Sequence, residues 1–306
     1  MPASDGVFFI PETSTDQRVR VFRRNFGGIE EFDGMEVDAY VIITERYVVV
    51  LDTLLCPEDA SAMVQMVKDQ LPGRQLLVVN SHADWDHSWG NAYFTGECAA
   101  PIITHEYCLT RMLSDEARQE LLEYKQRYAI FQNVALVPPT MTFDQHFTIL
   151  GGDMTIELIP APGHHLDHIA VWIPELSLLL AFDAIERPLP ILENAEAVPS
   201  MFATLERLLA LRPERVLCSH SKPASVALVE ENLAYFREIE RRSHELLQRY
   251  RPTEEELEHA SEIIHYPFDE VIAGATEAFD RIFYMGAHNA NVRFLLQWLM
   301  RNQGDS

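Results

Sequence analysis

The 306-residue sequence holds only four cysteines, Cys56, Cys98, Cys108 and Cys218, and no two stand at Cys-x-x-Cys spacing. That argues against a disulfide scaffold or a thiolate zinc module, and the four read as free thiols. Long apolar runs are missing too. The most apolar stretch, Leu176 to Phe182, is far short of the roughly 20 residues a helix needs to cross a bilayer. The opening residues Met1 to Gly6 show neither a basic n-region nor an apolar h-region, so a secretory signal is not expected and a cytoplasmic location is. Basic residues are scarce: 24 Lys+Arg stand against 47 Asp+Glu, a formal net charge of −23. Such a surface repels phosphate backbones and anionic lipid, so neither nucleic acid nor a membrane is expected as a partner. It does not exclude an anionic small substrate, since bound cations reverse a local field. Repeats, low-complexity stretches and a Gly-x-Ser-x-Gly nucleophile elbow are also lacking.

What is present is a globular composition, 47% hydrophobic, and a length that suits one large or two modest domains at about 150 residues each. Strand-like and helix-like segments alternate over the first 220 residues. Residues 39–44 and 47–52 are β-rich runs separated by Glu45-Arg46, the pattern of a hairpin. Residues 57–71 have helical spacing, and 75–80 form a short buried strand running into polar residues. A strand at 101–104, a charged helix over 105–128, and a hairpin of 147–150 and 154–159 around Gly151-Gly152-Asp153 follow. Then come strands at 170–173 and 178–182, a helix at 200–211 and a last strand at 215–218. Beyond Pro223 the pattern is helical throughout (225–249, 253–264, 268–285 and 288–301), punctuated by Pro252 and Pro267. We place a boundary there, giving residues 1–222 and a helical region 223–306.

One constellation dominates. Residues 81–91 read Ser-His-Ala-Asp-Trp-Asp-His-Ser-Trp-Gly-Asn directly after the strand at 76–79. His82, Asp84, Asp86 and His87 thus fall within six residues at a strand's C-terminal end, where open α/β sheets commonly place their sites. With no Lys or Arg in that stretch, such a cluster repels itself unless a cation sits among its members. Imidazole and carboxylate together suit zinc, iron or manganese. The arrangement recurs downstream: His164 follows the strand at 154–159 through Pro160-Ala161-Pro162-Gly163, Asp183 ends the strand at 178–182, and His220 follows the strand at 216–218.

The order Asp52, His82-x-Asp84-x-Asp86-His87, Pro162-Gly163-His164, Asp183, His220 resembles the metallo-β-lactamase-fold hydrolase superfamily over residues 20–222. The resemblance implies an α/β fold, a four-layer αβ/βα sandwich with a C-terminal helical extension, and two divalent metal ions (zinc, iron or manganese). By position it puts His82, Asp84 and His164 on the first ion, Asp86, His87 and His220 on the second, and Asp183 between them. Asp52 matches an aspartate that supports the site from behind the ligands, and His168 stands where a similar role is possible. Asp84 departs from the usual His-x-His-x-Asp-His motif. Either the first site is weakened, or a harder anionic donor replaces a neutral one. In the second case three carboxylates, two divalent ions and a bridging hydroxide sum to 0 rather than +1, which favours iron or manganese.

The expected activity is metal-assisted hydrolysis of a small ester, thioester, lactone or related substrate, with a bridging hydroxide that Asp86 orients. Two other readings stay open: a diiron oxidoreductase or oxygen-binding protein, because diiron flavoproteins of the superfamily carry a carboxylate at the position of Asp84, and a non-catalytic metal-binding or ligand-sensing protein. Trp85 either packs beneath the site or lines its pocket, and Lys222 is either a substrate contact or a solvated surface lysine. Asp167 and His165 read as loop residues, and Cys218 as core. In the helical region Ile272, Phe279, Ile282 and Phe283 read as one buried stripe, and His288-Asn289 as the opening of the last helix. Phe294, Leu295 and Trp298 suggest a core face or a homodimer contact, and the whole region could cap the substrate.

Overall fold

The computed structural model describes residues 6–11, 16–27, 29, 32, 34–275 and 279–302. The expectation for Met1 to Asp5, and Thr276 to Ala278 of the expected 268–285 helix, lie outside the described residues. Two compact units emerge: residues 1–160 with 167–182, and residues 161–166 with 183–306. They part at Phe182/Asp183. The change near residue 223 is one of character, from mixed strands and helices to helices alone.

The first unit carries β1 (Val7–Phe9), β2 (Val19–Asn25), β3 (Glu36–Ile43), β4 (Tyr47–Leu51), α1 (Pro57–Met66), β5 (Gln75–Val79), α2 (Trp85–Ser88), β6 (Ile102–His105), α3 (Glu106–Met112), α4 (Asp115–Arg127), β7 (Met141–Phe143), β8 (Phe147–Leu150), β9 (Thr155–Pro160), β10 (Ile169–Ile173) and β11 (Leu178–Leu180). Strands β1 to β7 form one sheet in chain order. Pairing is antiparallel from β1 to β4 and parallel from β4 to β7. A second, antiparallel meander runs β8-β9-β10-β11.

The β3–β4 hairpin explains why both strands read as unbroken apolar runs: both of their faces are buried. Val37, Ala39, Val41 and Ile43 of β3, with Val48 and Val50 of β4, point into one cluster with Phe22, Met63 and Val78. Tyr40, on the opposite face, meets Phe182 edge-on at 5.7 Å between ring centroids. The expected helix over 105–128 is broken instead into α3 and α4. Ser114 takes the N-cap of α4, its Oγ accepting from the Ala117 amide at 3.0 Å, with Asp115 and Glu116 in the first turn.

The second unit carries α5 (Val198–Ala210), β12 (Arg215–Leu217), α6 (Ala227–Leu247), α7 (Ala260–Ile263), α8 (Phe268–Val271) and α9 (Arg281–Asn302). The sequence reading of its last third needs correction. The helix begun at Phe268 stops after one turn, and α9 starts at Arg281, so His288 lies inside it rather than at its start. The buried positions of α9 are Tyr284, His288, Asn291, Val292, Leu295, Leu296 and Leu299, a single helical stripe. Ile282 falls off that stripe and is 80% exposed. Polar side chains occupy two stripe positions because each has partners: Tyr235 Oη and the Tyr266 carbonyl for His288, and the backbone at Pro190 and Leu192 for Asn291.

The loops after β4 and β5 are locked together. The Thr53 amide donates to the His87 carbonyl at 2.7 Å, and Asn80 and Asn91 bond each other through both side-chain amides. Gly90 lets these loops touch: a Cβ there would stand 2.0 Å from the Thr53 carbonyl oxygen and 2.9 Å from its carbon. Both atoms are backbone and cannot rotate away. Gly90→Ala is therefore expected to lower unfolding free energy by at least about 2 kcal/mol, read as a shift of the urea midpoint at constant m-value.

Candidate metal centre

In the first unit the polar residues gather at the C-terminal ends of parallel strands β4 and β5. Asp52 follows β4 directly, with φ of 64°, a left-handed conformation that non-glycine residues hold only where their surroundings fix it. Its carboxylate is fully buried and accepts three hydrogen bonds: from the Ser81 amide at 2.6 Å, from Ser81 Oγ at 2.7 Å and from His87 Nδ1 at 2.8 Å.

Those bonds fix where the imidazole protons sit. A carboxylate only accepts, so His87 donates from Nδ1, which in the neutral ring leaves the lone pair on Nε2. Ser81 Oγ has spent its hydrogen on Asp52, so at 2.9 Å it accepts from His82 Nδ1. His82 Nε2 is then the lone-pair nitrogen as well. Each of these nitrogens faces a carboxylate oxygen: Asp84 Oδ2 at 3.2 Å from His82 Nε2, and Asp86 Oδ2 at 3.6 Å from His87 Nε2. With neutral rings, two electron-rich atoms at that distance repel unless a proton or a metal ion lies between them.

The short helix α2 supplies Asp86 and His87 from one turn, with Asp84 at its N-cap position. Trp85, in the same turn, points into packing. Its ring lies 5.0 to 5.9 Å from those of Phe26, Phe32, Tyr124 and Phe131. His168 is buried with its ring centroid 4.9 Å from that of His82.

The second unit repeats the scheme with different parts. His164 follows Gly163, whose φ is 147° and whose Cβ position would be 2.8 Å from Met201 Cα on α5. His164 Nδ1 lies 3.2 Å from the Ile191 carbonyl, which can only accept, so the lone pair again falls on Nε2. That Nε2 faces Asp183 Oδ2 at 3.7 Å, and His220 Nε2 faces the same oxygen at 3.5 Å. Asp183 thus stands between two imidazoles. For a tetrahedral ion bound at about 2.0 to 2.1 Å, neighbouring donors lie roughly 3.3 to 3.4 Å apart, close to all four separations. The donor set and its spacing fit a divalent metal ion.

Several of these residues were not legible in the sequence. The stretch 81–91 has no basic residue, but the fold brings one in. Arg111 of α3 reaches Asp84 Oδ1 through Nη2 at 2.5 Å and Asp167 Oδ1 through Nη1 at 2.8 Å. Asp167 is more than a loop residue, since its Oδ2 also accepts from the Ala83 amide at 2.8 Å. Arg111 and Ala83, with Thr110, Ser114, Ala117 and Glu120, line an open cleft of about 500 Å³ in this unit. Glu186 is the other addition. It is buried three residues after Asp183, bonded by Tyr284 Oη from α9, with its backbone amide and carbonyl both held by Asn232 from α6. Burial first, then the Asp183 charge, push its carboxyl up to about 7 against the opposing pull of His220. Lys222 is exposed, and the four cysteines are free thiols with Cys218 buried.

A sequence model of the Metallo-beta-lactamase superfamily matches residues 33–220. The chain belongs to that superfamily. Solved structures agree on the fold. A metallo-beta-lactamase from Pontibacter korlensis is 17% identical with a TM-score of 0.57, the match covering 74% of this chain and 97% of that one. The metallo-beta-lactamase FIM-1 from Pseudomonas aeruginosa, in its mono-zinc form, is 18% identical with a TM-score of 0.54, covering 75% and 94%. DIM-1 metallo-beta-lactamase is 16% identical with a TM-score of 0.56, covering 75% and 96%. The fold is therefore α/β, of the metallo-β-lactamase type, with a helical C-terminal extension. Membership supports a metal-dependent hydrolase in general. No helix among the described residues is long and apolar enough to cross a membrane.

Asp52→Asn would present an amide N–H where Ser81 Oγ and His87 Nδ1 now donate. The imidazole tautomers would be released, and metal affinity is expected to fall 10- to 100-fold, read by competition with a chromogenic chelator. Glu186 generates a pH prediction for the metal-free protein. Its folded pKa stands above the ordinary 4.5, so stability is full below that value and is lost as pH rises through about 7. Denaturant titrations should show a loss on the order of 3 kcal/mol across that window, and Glu186→Gln should flatten the profile.

Proposed function

We propose that the protein is a metallo-hydrolase acting on a small ester, thioester, lactone or related bond through a dinuclear centre with the superfamily's pattern of donors. His82, Asp84 and His164 would hold one divalent ion, and Asp86, His87 and His220 the other, with Asp183 shared. The observation that carries this reading is the donor geometry. His82, His87 and His164 each commit Nδ1 to a hydrogen bond and turn Nε2 toward a carboxylate oxygen at 3.2 to 3.7 Å, the separation of neighbouring donors on one ion.

When bound, the ions would lower the pKa of a water toward about 7 and polarise the scissile carbonyl. The chain's own residues do the rest. Asp52 fixes two imidazoles through Nδ1, the Ile191 carbonyl fixes a third, and Asp86 stands beside His87 Nε2 as the carboxylate to orient the attacking water. A net charge of −23 weighs against nucleic acid as substrate.

Elemental analysis of freshly purified protein tests the metal content, and a panel of p-nitrophenyl esters, thioesters and lactones tests the reaction. The expected result is up to two zinc, iron or manganese ions per chain, with turnover abolished by chelation and restored by the metal found. Asp183→Ala should lose metal and reduce kcat/KM by on the order of 10³-fold, the several kcal/mol that metal catalysis supplies. Full rate with both metals retained would overturn the assignment of Asp183. A coloured, iron-loaded protein that consumes oxygen and hydrolyses nothing would establish the redox reading instead.

A further inference from the structure

The superfamily pattern has a neutral imidazole where this chain has Asp84. An aspartate there brings an extra negative charge and a second oxygen able to chelate. Arg111 meets both consequences. Its planar fork clamps two carboxylates at once, Nη2 on Asp84 Oδ1 at 2.5 Å and Nη1 on Asp167 Oδ1 at 2.8 Å. Asp167 is fully buried and tied to the Ala83 amide at 2.8 Å, so the guanidinium is anchored from its far side to the loop that carries Asp84. With Oδ1 held by Arg111, Asp84 turns only Oδ2 toward His82, at 3.2 Å from Nε2.

Resting on the metallo-hydrolase reading above, we infer that Arg111 is the positioning residue that makes Asp84 serve in place of the usual histidine. It reduces Asp84 to a single-oxygen donor and sets a positive charge against the anion that replaced a neutral ring. The geometry of a guanidinium fork matters here as well as its charge, because a lysine offers one point charge and cannot span both carboxylates. Burial pulls the Arg111 guanidinium pKa down, the Asp84 and Asp167 carboxylates more than reverse this, and the group stays charged at every pH of interest.

The test is a cycle on metal affinity, measured with apo-protein and zinc or manganese in competition with a chelator. Arg111→Gln should weaken one of the two ions 10- to 100-fold and leave the other within about twofold, the cost typical of removing a partner behind a ligand. Arg111→Lys should recover only part of that loss. In the Asp84→His background the same Arg111→Gln change should cost less than about twofold, since an imidazole ligand gains nothing from a guanidinium. Equal losses in both backgrounds would show that Arg111 merely supports the fold, and unchanged affinity in Arg111→Gln would overturn the inference outright. If Arg111→Gln does not fold, Arg111→Lys with and without Asp84→His closes the same cycle. Wild-type protein that binds no metal would instead remove the metallo-hydrolase reading, and this inference with it.

Discussion

A single buried carboxylate, Asp52, organises the chemistry of the first unit. A carboxyl group with no exposed surface is costly to bury, and three donated hydrogen bonds offset that cost. Two of those bonds reach histidines, one directly and one through Ser81. The same contacts that make Asp52 tolerable thus decide which nitrogens of His82 and His87 are basic. Its left-handed backbone has a related origin. The Asp52 amide bonds the Val79 carbonyl and the next residue bonds His87, so the chain turns sharply between two strand ends. Stability and donor orientation are therefore one set of interactions.

The second unit achieves the same end with backbone carbonyls and helices. Asn291 of α9 accepts from the Leu192 amide and donates to the Pro190 carbonyl, which fixes the segment whose Ile191 carbonyl holds His164. Tyr284 of α9 and Asn232 of α6 hold Glu186, three residues beyond Asp183. Within this unit the C-terminal helices thus act as scaffolding for the loops that present His164 and Asp183. That gives polar side chains on an otherwise apolar stripe a physical reason to be there.

How much of this could be read from the sequence follows from which contacts are local. The β3–β4 hairpin and β5 were legible because they are apolar and β-branched, and each donor was legible because it follows such a strand. Strand β2 is not legible because its arginines hide the alternation: Arg23 reaches Asp38 and Glu36 on the next strand, and Arg24 is buried against Asp59. Arg111 lies 27 residues from Asp84 on a helix that reads like any solvated surface helix, and only the fold brings the two together. The break at Leu113-Ser114 carried a signal, Ser-Asp-Glu at a cap, that helical charge patterning concealed. Ile282 joins a buried stripe only if residues 272–283 form one helix, whereas α9 starts afresh at Arg281 with a different phase.

The carboxylates are managed by three distinct means, and the differences carry information. Asp52 is satisfied by three donated hydrogen bonds. Asp84 is matched by the Arg111 guanidinium. Glu186, beside Asp183, is pushed up to about 7 by burial and the Asp183 charge against the pull of His220 and His164. A protein that needed only a stable fold would place apolar residues where Glu186 and Asp183 lie, because paired buried acids offer nothing that packing does not. Retaining them is reasonable if the missing positive charge comes from outside the chain. Divalent ions would favour the ionised form of every carboxylate near them, with the strongest effect on those that have no guanidinium already. Asp84, already matched by the Arg111 guanidinium, would respond less to such an ion than a carboxylate whose counter-charge the ion itself supplies.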